Sequence, residues 1–198
     1  MADSARDYQV LLDLVRQNFA SVVWTHKVQE KQADIYVEYY AKLQTMNIIA
    51  ASITSCGIVS TIFAGDAFQL ALKIVTATLS FFTLCITAYF KSFDLQTLGK
   101  QNKEAANQFL VIRNELLQII GDIHIQKESL QDIEGRYSEI IGRLNELYVS
   151  VPSTTDKAIK RATQALNIKQ EYTYSEEEID RFLPASLRGK LINKGIVD

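Results

Sequence analysis

The predicted fold class is an all-α membrane protein: a two-helix transmembrane hairpin flanked by long amphipathic, coiled-coil-like helices, with short C-terminal helices. Three observations predict it. Two uncharged apolar runs, residues 43–65 and 74–90, sit almost back to back in the first half of the chain. Heptad periodicity precedes the first run and returns after the second. Only 2 prolines and 8 glycines interrupt 198 residues, which suits long helices.

The first element, residues 1–42, is an amphipathic helix expected in the cytoplasm. Tyr8, Leu12, Val15, Phe19, Val22, His26, Gln29, Ala33, Tyr36, Tyr40 and Leu43 recur at alternating steps of four and three. That spacing marks one seam of a helix packed along a stripe. Residues 43–91 form the hairpin, with spans at about 43–65 and 68–90. The 23 residues of the first run make a helix of roughly 33–35 Å at about 1.5 Å per residue, against a hydrocarbon core of about 30 Å. The second run reaches that length by starting near Phe68 and taking Lys73 into its outer turns. Unpaired backbone amides are not tolerated in lipid, so both runs must be helical.

Residues 92–151 are expected to form one long cytoplasmic helix. Phe109, Ile112, Leu116, Ile119, Ile123, Gln126, Leu130, Ile133, Tyr137, Ile140, Leu144 and Leu147 keep the same steps, and the register passes Gly121 unbroken. The two heptad helices run in opposite senses from a tight hairpin, so they should pack antiparallel. The seam can close within one chain or between chains. The polar members His26, Gln29 and Gln126 can specify register, or face water where the seam loosens. Residues 152–198 hold short helices and a tail. Val151-Pro152-Ser153-Thr154 ends the long helix, with Ser153 or Thr154 to cap the next. Ser175-Glu176-Glu177-Glu178 reads as a capping box, and Pro184 stops the helix it opens. Arg188, Lys190 and Lys194 give the tail a modest positive charge.

Charge placement orients the hairpin. Lys27, Lys31 and Lys42 precede the first span, while Lys91, Lys100 and Lys103 follow the second. The connection at residues 65–69 holds Asp66 and neither Lys nor Arg. Both ends are therefore expected in the cytoplasm, with Lys73 on the far side able to snorkel outward. No cleavable leader is expected, because the first apolar run begins some forty residues in, behind a charged stretch. The net charge is −2, from 21 basic and 23 acidic residues, which does not point to a general nucleic-acid binder. Cys56 and Cys85 both lie inside the apolar runs and read as small packing residues rather than a disulfide framework.

The spans carry the candidate functional residues. Lys73, Thr76, Ser80, Thr83, Thr87 and Lys91 fall within roughly an 80° arc of the second helix at about 100° per residue. Val75, Leu79, Phe82, Ile86 and Tyr89 occupy the opposite side and suit lipid. Such hydroxyls can bond back to their own backbone, or line a water-filled path in an oligomer as a pore face. In the first span, Ser52, Cys56 and Ser60 form one small-residue row; Gly57 and Thr61 belong to a second beside it. Small residues let lipid-embedded helices approach closely, so a homo-oligomer in the bilayer is expected. Catalytic chemistry is not expected. Neither His26 nor His124 stands at metal-ligand spacing from a cysteine or carboxylate, and no phosphate loop or nucleophile elbow occurs. No enzyme activity and no cofactor are expected.

Several local patterns resemble those of the SLATT proteins, the SMODS- and SLOG-associating two-transmembrane effectors of bacteria. They are Trp24-Thr25-His26-Lys27, Glu30-Lys31 and Ala33-Asp34 ahead of the hairpin, and Ala105-Ala106, Arg113 and Glu115 behind it. Pro152-Ser153-Thr154, Lys157-Ala158 and the closing stretch from Ser175 to Arg188 complete the set. The resemblance implies a pore-forming or membrane-disrupting effector of bacterial antiviral or conflict systems (abortive infection) in the inner membrane. It also implies a sensor partner: a nucleotide-second-messenger synthase, a nucleotide-sensing protein or a reverse transcriptase. No direct nucleic-acid binding is expected. The alternative from the residues themselves is a membrane adaptor that recruits a partner through its helical stalk without forming a pore.

Overall fold

The computed structural model describes residues 2–63, 65–126, 128–172 and 174–183, and the side chains among them except those of 2–5, 61–63, 66, 67 and 176. Helix α1 (Ala2–Phe63) runs through the first heptad stretch and the first apolar run without a break. At 62 residues and about 1.5 Å per residue, it is about 93 Å long. Helix α2 (Asp66–Ser92) returns alongside it, beginning directly after Gly65, so the connection is tighter than residues 65–69. Helices α3 (Leu95–Ile125) and α4 (Leu130–Ser150) follow, then α5 (Asp156–Thr163), a π-helical turn at Gln164–Ile168, and α6 (Glu176–Phe182).

The apolar windows of α1 and α2 bury none of their residues. A core helix of a soluble domain buries its apolar face, so these surfaces are suited to lipid instead. The protein is a membrane protein built on a two-helix hairpin. Within the hairpin, Leu43, Asn47, Ala50, Thr54 and Gly57 of α1 are half-buried. So are Leu72, Thr76, Leu79, Thr83, Ile86 and Phe90 of α2. Both sets step by three and four, so the 3.5-residue seam continues from the heptad stretch into the spans. The Tyr40 and Phe90 rings, with centroids 5.3 Å apart, close its stalk end.

Outside the hairpin the chain forms a three-helix bundle, and the expected single helix over 92–151 is corrected. The chain turns at residues 126–129: Gln126 adopts the left-handed conformation (φ 51°) as the C-cap of α3, and Ser129 caps α4 by accepting from the Asp132 amide. Gly121 lies inside α3 and breaks nothing. Helix α4 folds back along α3, tied by Arg136 to Asp122 and Arg143 to Glu115. It runs in the same sense as α1: the Tyr8 hydroxyl donates to the Glu128 carbonyl, Ser21 meets Tyr148, and Gln29 donates to the Pro152 carbonyl.

The seam therefore closes within one chain. Val15, Val22, Phe109, Leu116, Ile119, Ile133, Ile140 and Leu144 form the buried core of the bundle. His26 and Gln29 are buried in it rather than facing water, whereas Gln126 leaves the seam as an exposed cap. Helix α5 covers Val28 and Ile35 of α1 with Ala158 and Ala162. Its N-cap is Thr155, not Ser153 or Thr154. The capping box at Ser175 and Glu178 is formed as expected. Pro184, Arg188, Lys190 and Lys194 lie outside the described residues.

Candidate functional site

The hydroxyl stripe of α2 divides at the edge of the hairpin seam. Thr76 and Thr83 are half-buried and belong to the seam, while Lys73, Ser80, Thr87 and Lys91 are exposed beside it. Leu79 and Ile86, expected on the lipid side, are half-buried in the seam as well. The difference is one of rotation: the stripe is centred roughly 50° round the helix from the line of contact, at about 100° per residue. Thr83 and Thr87 donate to the carbonyls four residues back, Leu79 and Thr83, the local bonding open to hydroxyls in lipid. Across the seam, the Asn47 Oδ1 and Thr54 Oγ1 atoms of α1 are buried without a hydrogen-bond partner.

The two small-residue rows separate. Gly57 packs against Thr76 across the hairpin. Ser52, Cys56 and Ser60 are exposed, and both serines donate to their own helix, to Ile48 and Cys56 carbonyls. Cys56 and Cys85 are free and exposed, so neither packs within the single chain. The side chain of Thr61 lies outside the described residues.

A second polar centre lies in the bundle, where His26 and Lys27 are 4% and 3% exposed. His26 Nδ1 donates to the Ala106 carbonyl at 2.7 Å, and its Nε2 stands 2.7 Å from the Tyr172 hydroxyl. Lys27 Nζ donates to Glu30 at 2.9 Å and also binds Glu171. The Tyr172 hydroxyl is 2.9 Å from Glu30, and its ring lies under the Lys27 ammonium at 4.4 Å and the Arg113 guanidinium at 5.1 Å. Glu171 and Tyr172 thus fasten the connector after the π-helical turn onto α1 and α3.

Burial sets the charges here. It disfavours the imidazolium and lowers the His26 pKa, against the Ala106 carbonyl and the Glu30 carboxylate. Burial also penalises the Lys27 ammonium, but bonds to Glu171 and Glu30 outweigh that and raise its pKa. The same bond to Lys27 lowers that of Glu171. Because Nδ1 of neutral His26 must carry the proton facing Ala106, Nε2 is left as an acceptor. The one Tyr172 proton then has two acceptors in reach, Nε2 and Glu30.

Sequence reasoning placed His26 and Gln29 on the seam but missed Lys27, Glu171 and Tyr172 as a cluster. Local spacing holds no signal for contacts across more than 140 residues. The one available hint was a lysine beside a heptad position with a glutamate three residues on. The residues behind the family resemblance do converge here: His26, Lys27, Glu30 and Arg113 surround Tyr172, Ala106 holds His26, and Gln29 reaches Pro152. Among the described residues no group of three or more His, Cys, Asp or Glu could hold a metal ion. No curated protein and no solved structure matches the chain. The profile of the SMODS and SLOG-associating 2TM effector domain, family 4, matches residues 11–178. Matched from the early turns of α1 to the capping box of α6, with the hairpin and both polar centres inside the match, the chain belongs to the SLATT family.

Proposed function

We propose that the protein is a pore-forming or membrane-disrupting effector of a bacterial conflict system. It acts as a homo-oligomer in the inner membrane with both ends cytoplasmic, held closed until a separate sensor protein signals. The sensor is of the kinds the family resemblance implies, and the effector carries out no enzymatic step and uses no cofactor.

The observation that carries this reading is the polar seam of the hairpin. Asn47 Oδ1 and Thr54 Oγ1 are buried without partners, facing the helix that presents Thr76 and Thr83. A passive anchor needs no polar atoms between its helices. A buried acceptor without a partner costs about 1–3 kcal/mol, and water admitted between the helices would satisfy it. The exposed flank of Ser80, Thr87, Lys73 and Lys91 borders the same seam, so a rotation of α2 would join the two into one wet face. Ser52, Cys56 and Ser60 leave the outer face of α1 open to close packing by a neighbouring copy.

Membrane potential in cells expressing the chain with its neighbouring genes tests the proposal, together with dye release from reconstituted liposomes. Wild type should depolarise the membrane on activation. Thr83→Leu should not, because leucine dewets a constriction while remaining at home in lipid. Phe82→Leu should behave as wild type. Activation without depolarisation would favour a membrane adaptor instead.

A further inference from the structure

We propose that the surface of α1 and α3 beneath the connector is a binding site for a polypeptide segment bearing a carboxylate next to an aromatic ring. The chain's own Glu171 and Tyr172 fill it, and a partner's acidic–aromatic segment displaces them.

Charge balance comes first. Lys27, Lys31 and Arg113 converge on the site, while Glu30 and Asp34 are the acids that α1 itself provides. Three cations against two carboxylates leave one positive charge unmatched, and Glu171 matches it by reaching both Lys27 and Lys31. The second half of the site recognises a ring. The Lys27 ammonium and the Arg113 guanidinium stand over the Tyr172 ring, and the His26 ring lies tilted against it at 5.5 Å. Cation–π contacts of this kind strengthen when desolvated, and Lys27 is almost wholly buried.

The occupant is carried by irregular backbone. It is delivered by a π-helical turn, Gln164–Ile168, a geometry rare in proteins and concentrated at functional sites. Next comes Gln170 in the left-handed conformation (φ 50°), which costs a non-glycine residue free energy. The Glu171 side chain remains 32% exposed and that of Lys31 19%, so an incoming carboxylate can reach Lys31 before the connector has left. Site and connector lie wholly outside the hairpin, and the proposal does not rest on leakage.

The probe is a fluorescein-labelled peptide with the sequence of residues 167–174, read by anisotropy against the full chain in nanodiscs. Glu171→Gln with Tyr172→Ala empties the site and should bind the peptide at least tenfold more tightly than wild type, whose site is filled. Adding Lys27→Met should remove that binding. Equal binding to wild type and variant, or binding that survives the loss of Lys27, overturns the proposal. Should the double variant lose the wild-type circular dichroism, hydrogen exchange on wild type decides. Excess peptide speeds exchange of the amides at 169–172 if it displaces the connector, and unchanged exchange overturns the proposal.

Discussion

Thr76 occupies the space that a side chain on Gly57 would need: a Cβ built on Gly57 would stand 2.5 Å from Thr76 Oγ1. Helices in lipid associate through close packing rather than a hydrophobic drive, and this glycine lets the two backbones approach across the seam. Gly57→Val should overpack it at a cost of about 1–3 kcal/mol. Crosslinking between Thr54→Cys and Leu79→Cys, with Cys56 and Cys85 replaced by alanine, measures the effect. The yield should fall several-fold; an unchanged yield would mean that the helices already part at this level.

The bundle should lose stability in mild acid through His26. Its pKa is lowered in the folded state by burial, so the unfolded chain takes up the proton first as pH falls. Stability is then constant above the unfolded value of about 6.5 and declines between there and the lowered folded value. The slope reaches at most about 1.4 kcal/mol per pH unit. Denaturant titrations from pH 5 to 8 should show this slope, and His26→Gln should flatten it. Glu30 and Glu171, whose pKa values are lowered, contribute a separate loss below about pH 4.5.

Ile133 is fully buried in the bundle core, and its seam closes within the chain. Ile133→Asp would bury an unpaired carboxylate and should cost about 4 kcal/mol or more. The effect should be lost cooperative unfolding of the bundle, monitored by circular dichroism. A change in oligomer size with the unfolding transition intact would mean that the seam pairs between chains.

Gly135 and Gly142 sit inside α4, and a Cβ at either meets nothing within 4 Å. Alanine at each position should stabilise the bundle by about 0.5–1 kcal/mol through helix propensity and a less disordered unfolded state. A rise in the denaturation midpoint without a change in slope is the expected outcome.

Most of the burial pattern was legible because a 3.5-residue period reports a packed stripe whatever the partner is. Val15, Val22, Phe109 and Leu116 needed nothing more. The turn at residues 126–129 escaped for a related reason. Gln126 to Leu130 is a step of four, so a four-residue turn preserves the heptad count and periodicity passes over it. The signal that marked it was Ser129 three residues ahead of Asp132, an N-cap pattern. Thr76 and Thr83 fall in the hairpin seam while Ser80 and Thr87 flank it, a division out of sight in the sequence because composition cannot say which side of an apolar helix meets its neighbour. The meeting of Lys27 with Glu171 and Tyr172 was out of reach, because only Glu30 of its partners is local in sequence.

The polar seam itself can be tested apart from any single threonine. Asn47→Leu and Thr54→Val each remove a buried oxygen that has no partner and put apolar volume in its place. Deleting such an atom relieves its desolvation cost, about 1–3 kcal/mol, so each variant should tighten the closed hairpin. Crosslinking between Ala50→Cys and Thr83→Cys in the cysteine-free background should rise accordingly. If the seam is the water path, leakage in activated liposomes should fall in step with that rise, because the opened helices would expose leucine and valine where wild type offers an amide and a hydroxyl. If crosslinking rises while leakage keeps its wild-type value, the helices need not part for ions to pass. The path would then run along the exposed flank of Ser80 and Thr87, between copies rather than within one.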